Sequence, residues 1–473
     1  MKSINCIGAD FGASNGRVFV GRFDGSVLEL CEVHRFENNP VRLGKSLFWD
    51  FLYLFNNLKI GIYKAKKEFE SITSIGVDTW GVDYGLIDKC GNLISNPYHY
   101  RDLRTKSAIE EVGNIIPLNQ LYNTTGIQFM NFNTIYQLYI DYKTRPEIMK
   151  NASSLLLMPD LFAYFLTGEK VNEYTIASTS QLLDAHKRKW SFEIIEKLGF
   201  EKDLFNDIIY PGNILGKLSK EIQEELEVES IPVIAVASHD TASAVVAAPF
   251  SDGKQTVFLS CGTWSLMGVE LDSPLINEKT FVKNFTNEGG VENKIRFLKN
   301  ITGLWIIQQL KSAWSKKFEE VNYNLISELA QKSNVDYAID PDSEQFLAPV
   351  DIISEIKNFC KTHFGKEPET LGDIAKAAYN GIVKKYQNTV EEIENLTGLK
   401  IYTINMVGGG IRDKYLCELT SKITQRDVVA GPVEATVLGN IIMQLIALGE
   451  IKDLQEGREL LKKSIQFEYY KGR

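Results

Sequence analysis

No apolar run in this sequence approaches the ~20 residues that a membrane-spanning helix requires, and the first residues lack the basic and apolar regions of a secretory leader. A cytoplasmic protein is expected. Cysteine is sparse and scattered: Cys6, Cys31, Cys90, Cys261, Cys360 and Cys417 show no C-x-x-C spacing and no accompanying His cluster. Neither a zinc site nor a disulfide framework is therefore indicated, and reduced, mostly buried thiols are expected. Basic excess is missing as well. The formal net charge of −9 argues against nucleic acid or an anionic membrane surface as the main partner and for a small-molecule ligand. No low-complexity linker divides the chain.

What is present is an ordinary globular composition, 44% hydrophobic and 24% charged, over 473 residues. That length exceeds what one core sustains, so two domains are expected. The stretch from Gly8 to Val18 stands out. An apolar strand, Ile4 to Ala9, delivers Asp10 into a turn of small residues in which Gly12 and Gly16 allow a tight path with backbone N–H groups facing a ligand. An ordinary hairpin turn that happens to hold an aspartate fits this stretch equally well. Two alternating segments, Arg17 to Phe23 and Val27 to Phe36, flank Asp24-Gly25-Ser26 and read as a hairpin. Residues 47 to 69 carry a helical period and Ile72 to Thr79 a buried strand. After that strand comes Asp78-Thr79-Trp80-Gly81-Val82-Asp83-Tyr84, a polar and aromatic turn where open α/β sheets place ligands; a capped turn around a core Trp is the plainer alternative.

Residues 100 to 230 read as an insertion into the first domain, with helical segments such as Leu155 to Leu166. Ile231 to Ala237 is a strand that ends in Ser238-His239-Asp240-Thr241 and passes into a helix, Ala242 to Ala248. Asp240 at that junction is either exposed chemistry or a helix cap, and His239 is either a ligand group or a satisfied structural residue. The chain then starts over. Thr256 to Ser260 and Leu266 to Leu271 are strands around a Gly-centred turn, Cys261 to Ser265, that repeats the first turn at an offset of 250 residues, Gly262 falling on Gly12. Residues 371 to 396 form an amphipathic helix. Ile401 to Val407 leads into Gly408-Gly409-Gly410, which suits a flat ring lying on the backbone or a loop requiring positive φ. A short strand at Val428-Val429 and a helix from about Glu434 to Leu448 follow. A domain boundary near 245 gives an N-terminal domain of residues 1–245 and a C-terminal domain of residues 246–473.

Taken together, the first phosphate loop (Asp10 to Arg17), the second (Ser260 to Ser265) and the loop from Val407 to Asp413 resemble, in order, those of the FGGY carbohydrate kinases, relatives of actin, hexokinase and the heat-shock chaperone ATPase. Further segments sharpen the likeness toward a kinase of L-rhamnulose: Tyr100-Arg101-Asp102, Met158-Pro159-Asp160, Ala237 to Ala244, Thr286-Asn287-Glu288-Gly289-Gly290 and Gly431-Pro432-Val433-Glu434-Ala435. The resemblance implies an α/β fold of two ribonuclease H-like domains flanking a central cleft, with ATP and Mg²⁺ as cofactors. It makes Asp240 the general base. It puts the sugar against Gly81, His239, Asp240, Thr241 and Asn300, with Trp80 and Asp83 as neighbours. ATP falls to Ala13, Ser14, Asn15, Gly16, Arg17, Thr263, Gln308 and Gly409, and the metal to Asp10. Asn300 and Gln308 are expected on one helix, whose polar face touching water explains both almost as well. Cys261 departs from the serine expected there, which a backbone phosphate contact tolerates. A kinase for another ketose, such as fuculose or xylulose, and an ATP-gated protein of the actin or chaperone type are the alternatives.

Overall fold

From Ile4 to Phe11 no charged side chain interrupts the chain before Asp10, and this run forms strand β1 (Ile4–Phe11), buried from Asn5 onward. The computed structural model describes residues 3–250, 255–316, 318, 320–347 and 349–472. Strands β2 (Asn15–Phe23) and β3 (Leu28–Glu37) follow antiparallel. Their turn is closed by Asp24, whose Oδ1 accepts from the backbone N of Ser26 (2.8 Å) and Val27 (2.9 Å). A small hairpin, Val41–Leu43 with Ser46–Phe48, precedes helix α1 (Phe51–Glu68). Asp50 caps α1 by accepting from the Tyr53 backbone N, while Lys66 and Lys67 complement the dipole at the other end. The apolar face of Phe51, Leu54, Leu58, Ile62 and Ala65 packs into the core beside β1 and β2.

Strand β4 (Ser74–Thr79) pairs parallel with β1, and β5 (Asn213–Lys217) with β6 (Pro232–Ala235) completes a six-stranded sheet in the order β5-β6-β4-β1-β2-β3. Helix α2 (Asp240–Val246) leaves the end of β6. Between β4 and β5 the chain builds a second apolar cluster around Leu86, Ile135, Leu138, Leu155 and Ile176. The helix expected over Leu155 to Leu166 is there only from Met158. Residues Ala152–Leu157 are a strand paired with Tyr84–Asp88, and Pro159 opens the helix Met158–Thr167 in its first turn, where its missing N–H costs nothing.

The later half repeats the plan. Strands β7 (Thr256–Cys261), β8 (Trp264–Leu271), β9 (Ile295–Thr302), β10 (Thr403–Val407), β11 (Asp427–Ala430) and β12 (Glu468–Tyr470) run in the order β9-β8-β7-β10-β11-β12. As in β3-β2-β1-β4-β6, an antiparallel hairpin is followed across its first strand by two parallel neighbours. Helix α3 (Trp305–Ser315) follows β9. Helix α4 (Leu371–Thr397) opens on a reciprocal Thr370/Asp373 capping box and closes on Gly398 in the left-handed conformation, and α5 (Lys414–Thr424) is capped by Asp413.

The chain divides into two compact units. One comprises the residues up to Ala247, Glu270–Phe297 and Thr436–Ser464; the other comprises Ala248–Val269, Leu298–Ala435 and the residues from Ile465 on. A single cut at 245 lies beside the first crossing, but two later segments rejoin the first unit. The helix α6 (Ala435–Ala447) brings the second of them back. It is apolar except for Thr436 in its first turn and two fully buried amides one turn apart, Asn440 and Gln444. Gln444 Nε2 donates to the Ile7 carbonyl (2.9 Å), and Ser74 Oγ donates to Gln444 Oε1 (2.6 Å), fixing α6 on β1 and β4. Among the described residues no helix is long and apolar enough to cross a membrane.

Candidate active site

Three neighbouring strands set the centre of the first unit. In the register of β4, β1 and β2, Asp78 stands beside Asp10 and Asp10 beside Arg17. Arg17 donates to Asp10 in a close ion pair. Asp78 is fully buried: its Oδ2 accepts from Asn440 Nδ2 at 2.6 Å, and its Oδ1 has no hydrogen-bond partner among the described residues. Burial, reinforced by the Asp10 carboxylate, holds the Asp78 carboxyl well above the ordinary carboxylate range. The turn after Asp10 is closed by Gly12 N donating to the Asn15 carbonyl (2.9 Å) and tied down by Asn38 Nδ2 donating to the Gly12 carbonyl (2.8 Å). Gly16 already belongs to β2; a Cβ there would lie 2.1 Å from the Phe36 ring, so packing under that ring, not turn geometry, requires glycine.

The third carboxylate arrives at the end of β6. Thr79 N donates to the Ser238 carbonyl (2.9 Å), carrying the sheet one residue pair further, and α2 then begins at Asp240 with His239 in the cap position. The His239 side chain makes no capping bond. Asp240 keeps 31% of its side chain exposed, and its Oδ1 accepts from the Thr241 backbone N (2.5 Å) and Thr241 Oγ1 (3.2 Å). Burial lifts the Asp240 carboxyl above its ordinary range; His239 lowers it, and Asp10 raises it further. Three carboxylates, Asp10, Asp78 and Asp240, therefore act on one another at the C-terminal ends of three parallel strands, where such sheets offer their binding sites. His239 Nε2 lies 3.5 Å from Asp240 Oδ1. A Cβ added to Gly81 would come within 3.4 Å of His239 Nε2 and 3.3 Å of Thr179 Oγ1, so the missing side chain keeps space open beside that imidazole edge.

Trp80 and Asp83 lie inside the first unit. Asp83 is fully buried and every bond to it comes from a protein donor: Trp49 Nε1 (2.6 Å), Trp80 Nε1 (3.0 Å) and Tyr100 N (3.1 Å) on Oδ2, and Gln137 Nε2 (2.7 Å) on Oδ1. Burial raises its pKa to about 6. Trp80 is also buried, its ring 4.0 Å from that of Trp49. Asp83 is thus the hub of an internal aromatic cluster rather than a group open to a ligand, and it shapes the turn that presents Gly81.

In the second unit the Gly262-Thr263 turn anchors α3. Leu304 N donates to the Gly262 carbonyl (3.0 Å) and Trp305 N to the Thr263 carbonyl (3.1 Å). Thr263 Oγ1 and the Gln308 amide are within 3.3 Å of each other, so these two expected nucleotide residues do come together. Asn300 does not share the Gln308 helix: it lies on β9, and between β9 and α3 stands Gly303, where a Cβ would sit 2.4 Å from Ser265 Oγ. The three glycines after β10 serve three purposes. Gly408 adopts φ 87°, a Cβ on Gly409 would meet nothing within 4 Å, and one on Gly410 would lie 2.4 Å from Cys261 Sγ. Both loops thus meet at Cys261, whose thiol is buried, near Tyr386 Oη, and pushed up to about 11 by that burial. A thiol there is a packing group, and its lack of charge suits the contact.

Sequence reasoning missed the polar groups behind His239 and Ser238. Arg296, with no exposed surface, approaches His239 Nδ1 through Nη2 (3.1 Å) and forms an ion pair with Glu288 Oε2 (3.1 Å). Burial pulls its guanidinium below the ordinary range despite Glu288. Buried Glu173 accepts from the backbone N of Ser238 (3.2 Å) and from its hydroxyl, holding the junction in place. Glu288 sits in the Thr286 to Gly290 motif that the sequence singled out. Arg296 carries no local signal beyond a charged residue beside Ile295, Phe297 and Leu298, and Glu173, in a polar segment, carries none.

The profile of the FGGY family of carbohydrate kinases matches this chain twice, its N-terminal domain over residues 6–247 and its C-terminal domain over residues 257–448. The rhamnulokinase of Halalkalibacterium halodurans is 41% identical over 464 residues, covering 98% of each chain. That of Oceanobacillus iheyensis is 39% identical over 98% of this chain and 97% of its own. Among solved structures, the ligand-bound xylulose kinase from Lactobacillus acidophilus superimposes with a TM-score of 0.79 over 98% of this chain and 93% of its own at 16% identity, a likeness of fold.

Proposed function

The chain belongs to the FGGY family of carbohydrate kinases, and on that premise we propose that it transfers the γ-phosphoryl group of ATP to L-rhamnulose, yielding ADP and L-rhamnulose 1-phosphate in the cytoplasm. The observation that carries the substrate is the near-full-length likeness, at 41% and 39% identity, to kinases named for this ketose. An actin- or chaperone-type role loses its support, since both kinase domains are present in order.

Asp240 accepts the proton of the sugar hydroxyl as that oxygen bonds to the γ-phosphorus, while the bond to the bridging oxygen breaks and ADP leaves with the electron pair. A carboxyl held above its usual range by burial is a stronger base than a solvated one. Gly81, His239, Thr241 and Asn300 contact the sugar. Trp80 and Asp83 fix the turn behind Gly81. Ala13, Ser14, Asn15, Gly16, Arg17 and Thr263 take the phosphates, Gln308 and Gly409 the nucleoside.

The residues present suit Mg²⁺. Among the described residues no three His, Cys, Asp or Glu side chains are arranged around a metal position, but a hard dication that accompanies a nucleotide uses only one or two carboxylates and fills its shell with phosphate oxygens and water. Asp10 would hold it, and the orphaned Oδ1 of Asp78 is a free oxygen donor beside it. Mg²⁺ supplies neutralisation of the phosphate charge.

A coupled ADP-release assay over L-rhamnulose, L-fuculose and D-xylulose tests the reading. The highest kcat/KM is expected for L-rhamnulose. A clear preference for another ketose overturns the substrate, and an absence of sugar-stimulated turnover overturns the reaction.

A further inference from the structure

Behind His239 lies a charged pair that the phosphoryl-transfer chemistry does not itself need. Arg296 has no exposed surface and Glu288 is 4% exposed, and such a pair costs desolvation energy that its mutual attraction only partly offsets. The guanidinium is also not fully satisfied: its Nη1 is buried with no hydrogen-bond partner among the described residues. Its other contacts are specific. Nε donates to the Gly289 carbonyl (2.8 Å), which fixes the plane of the group, and Nη2 lies 3.1 Å from both Glu288 Oε2 and His239 Nδ1. A guanidinium nitrogen carries two hydrogens and accepts none. Nδ1 also lies 3.3 Å from Glu288 Oε2, but the contact at Nδ1 with hydrogen-bond geometry is the one from Nη2, so Nδ1 is the bare, accepting nitrogen; a proton there would face an N–H.

We infer that Arg296, oriented by Glu288, is a positioning residue that locks His239 in the neutral tautomer with its proton on Nε2. That proton then points to the side of the ring where Asp240 Oδ1 lies at 3.5 Å and where Gly81 leaves space. His239 becomes a fixed donor to a substrate oxygen, unable to compete with Asp240 for the hydroxyl proton. One side chain donates and the other accepts, which selects the orientation of the bound hydroxyl. The inference deepens the sugar-kinase reading and rests on it for the role of the sugar, but the tautomer is a property of the unliganded protein.

Two-bond ¹H–¹⁵N correlation spectra of the full chain, with the His239 signals assigned by their loss in His239→Gln, read the tautomer directly among only five histidines. The expected pattern at pH 7 has a protonated Nε2 and a bare Nδ1. A protonated Nδ1 overturns the inference whether or not any ketose is phosphorylated, and failure with every ketose leaves the spectral result standing. For the function of the lock, Arg296→Met removes the donor and Arg296→Gln keeps one. Ketose kcat/KM is expected to drop by ~10²-fold in the first with partial recovery in the second and an unchanged KM for ATP. Equal loss in both folded variants, or a proportional rise in the KM for ATP, overturns it. Should both variants fail to fold, the wild-type spectrum still decides.

Discussion

Gly439 in α6 is the position where one methyl group tests how the clustered carboxylates Asp78 and Asp240 are held. A Cβ built there would lie 1.8 Å from the Ser243 carbonyl oxygen, 2.6 Å from its carbon and 3.1 Å from its Cα. All three are backbone atoms of α2, so no rotamer change relieves the overlap. Reaching an ordinary contact of about 3.4 Å requires α6 and α2 to separate by roughly 1.5 Å. Alanine gains about 1 kcal/mol over glycine inside a helix, but overpacking against rigid backbone costs about 1–3 kcal/mol or more. The steric cost wins, and Gly439→Ala lowers the Tm seen by calorimetry. The catalytic effect is larger. Asp240 starts α2, three residues before Ser243, and Asn440, next to Gly439, holds Asp78. A displacement of about 1 Å at a reacting group costs about 10²-fold in rate, so kcat is expected to fall by that order in the ADP-release assay. Gly409→Ala is the control: nothing lies within 4 Å of its added methyl, so Tm holds while the KM for ATP rises. A Gly439→Ala protein with wild-type Tm and kcat would refute the packing argument.

Other substitutions separate the roles assigned above. Asp240→Asn removes the base but keeps an oxygen for Thr241; turnover is expected to drop by about 10²–10⁴-fold with little change in Tm, and near-wild-type turnover would remove Asp240 from the chemistry. Gly81→Ala sets a methyl 3.3–3.4 Å from Thr179 and His239, close enough that those side chains must give by a few tenths of an ångström, and the methyl fills space beside the imidazole; the KM for the ketose should rise while that for ATP does not. Asp83→Asn replaces an acceptor ringed by four donors with an amide that must turn an NH₂ toward one of them. Its cost, about 1–3 kcal/mol, should appear in thermal unfolding despite the identical shape, and an unchanged Tm would mean that Asp83 is not the hub it looks to be.

Much of this was legible along the chain. The apolar run of β1, the alternation in β2 and β3, the capped helices α1 and α4, and the second hairpin 250 residues on follow from local patterning, because strand pattern, helical period and turn residues act over a few positions. Asp10, Asp240 and the glycine loop announced themselves as polar or glycine residues at the ends of apolar strands. Leu155 to Leu157 went astray because a short apolar run suits strand and helix alike, and only pairing with Tyr84–Asp88 decided it. Asn300 and Gln308 were read onto one helix because their spacing permits it; in the fold Asn300 lies on a strand and the helix begins only at Trp305.

By itself, then, the sequence determined the order of elements, the doubled plan and the carboxylates at strand ends, since each depends on neighbours in the chain. Only the tertiary structure decided that α6, from the far end of the chain, reaches back to grip Asp78 through Asn440, and that Asp83 is consumed by four internal donors. It alone brought Arg296 and Glu288 behind His239. Those facts rest on contacts between residues tens to hundreds of positions apart, where burial removes the water that would otherwise satisfy each polar group, so partners must be found in space, whatever their distance in sequence.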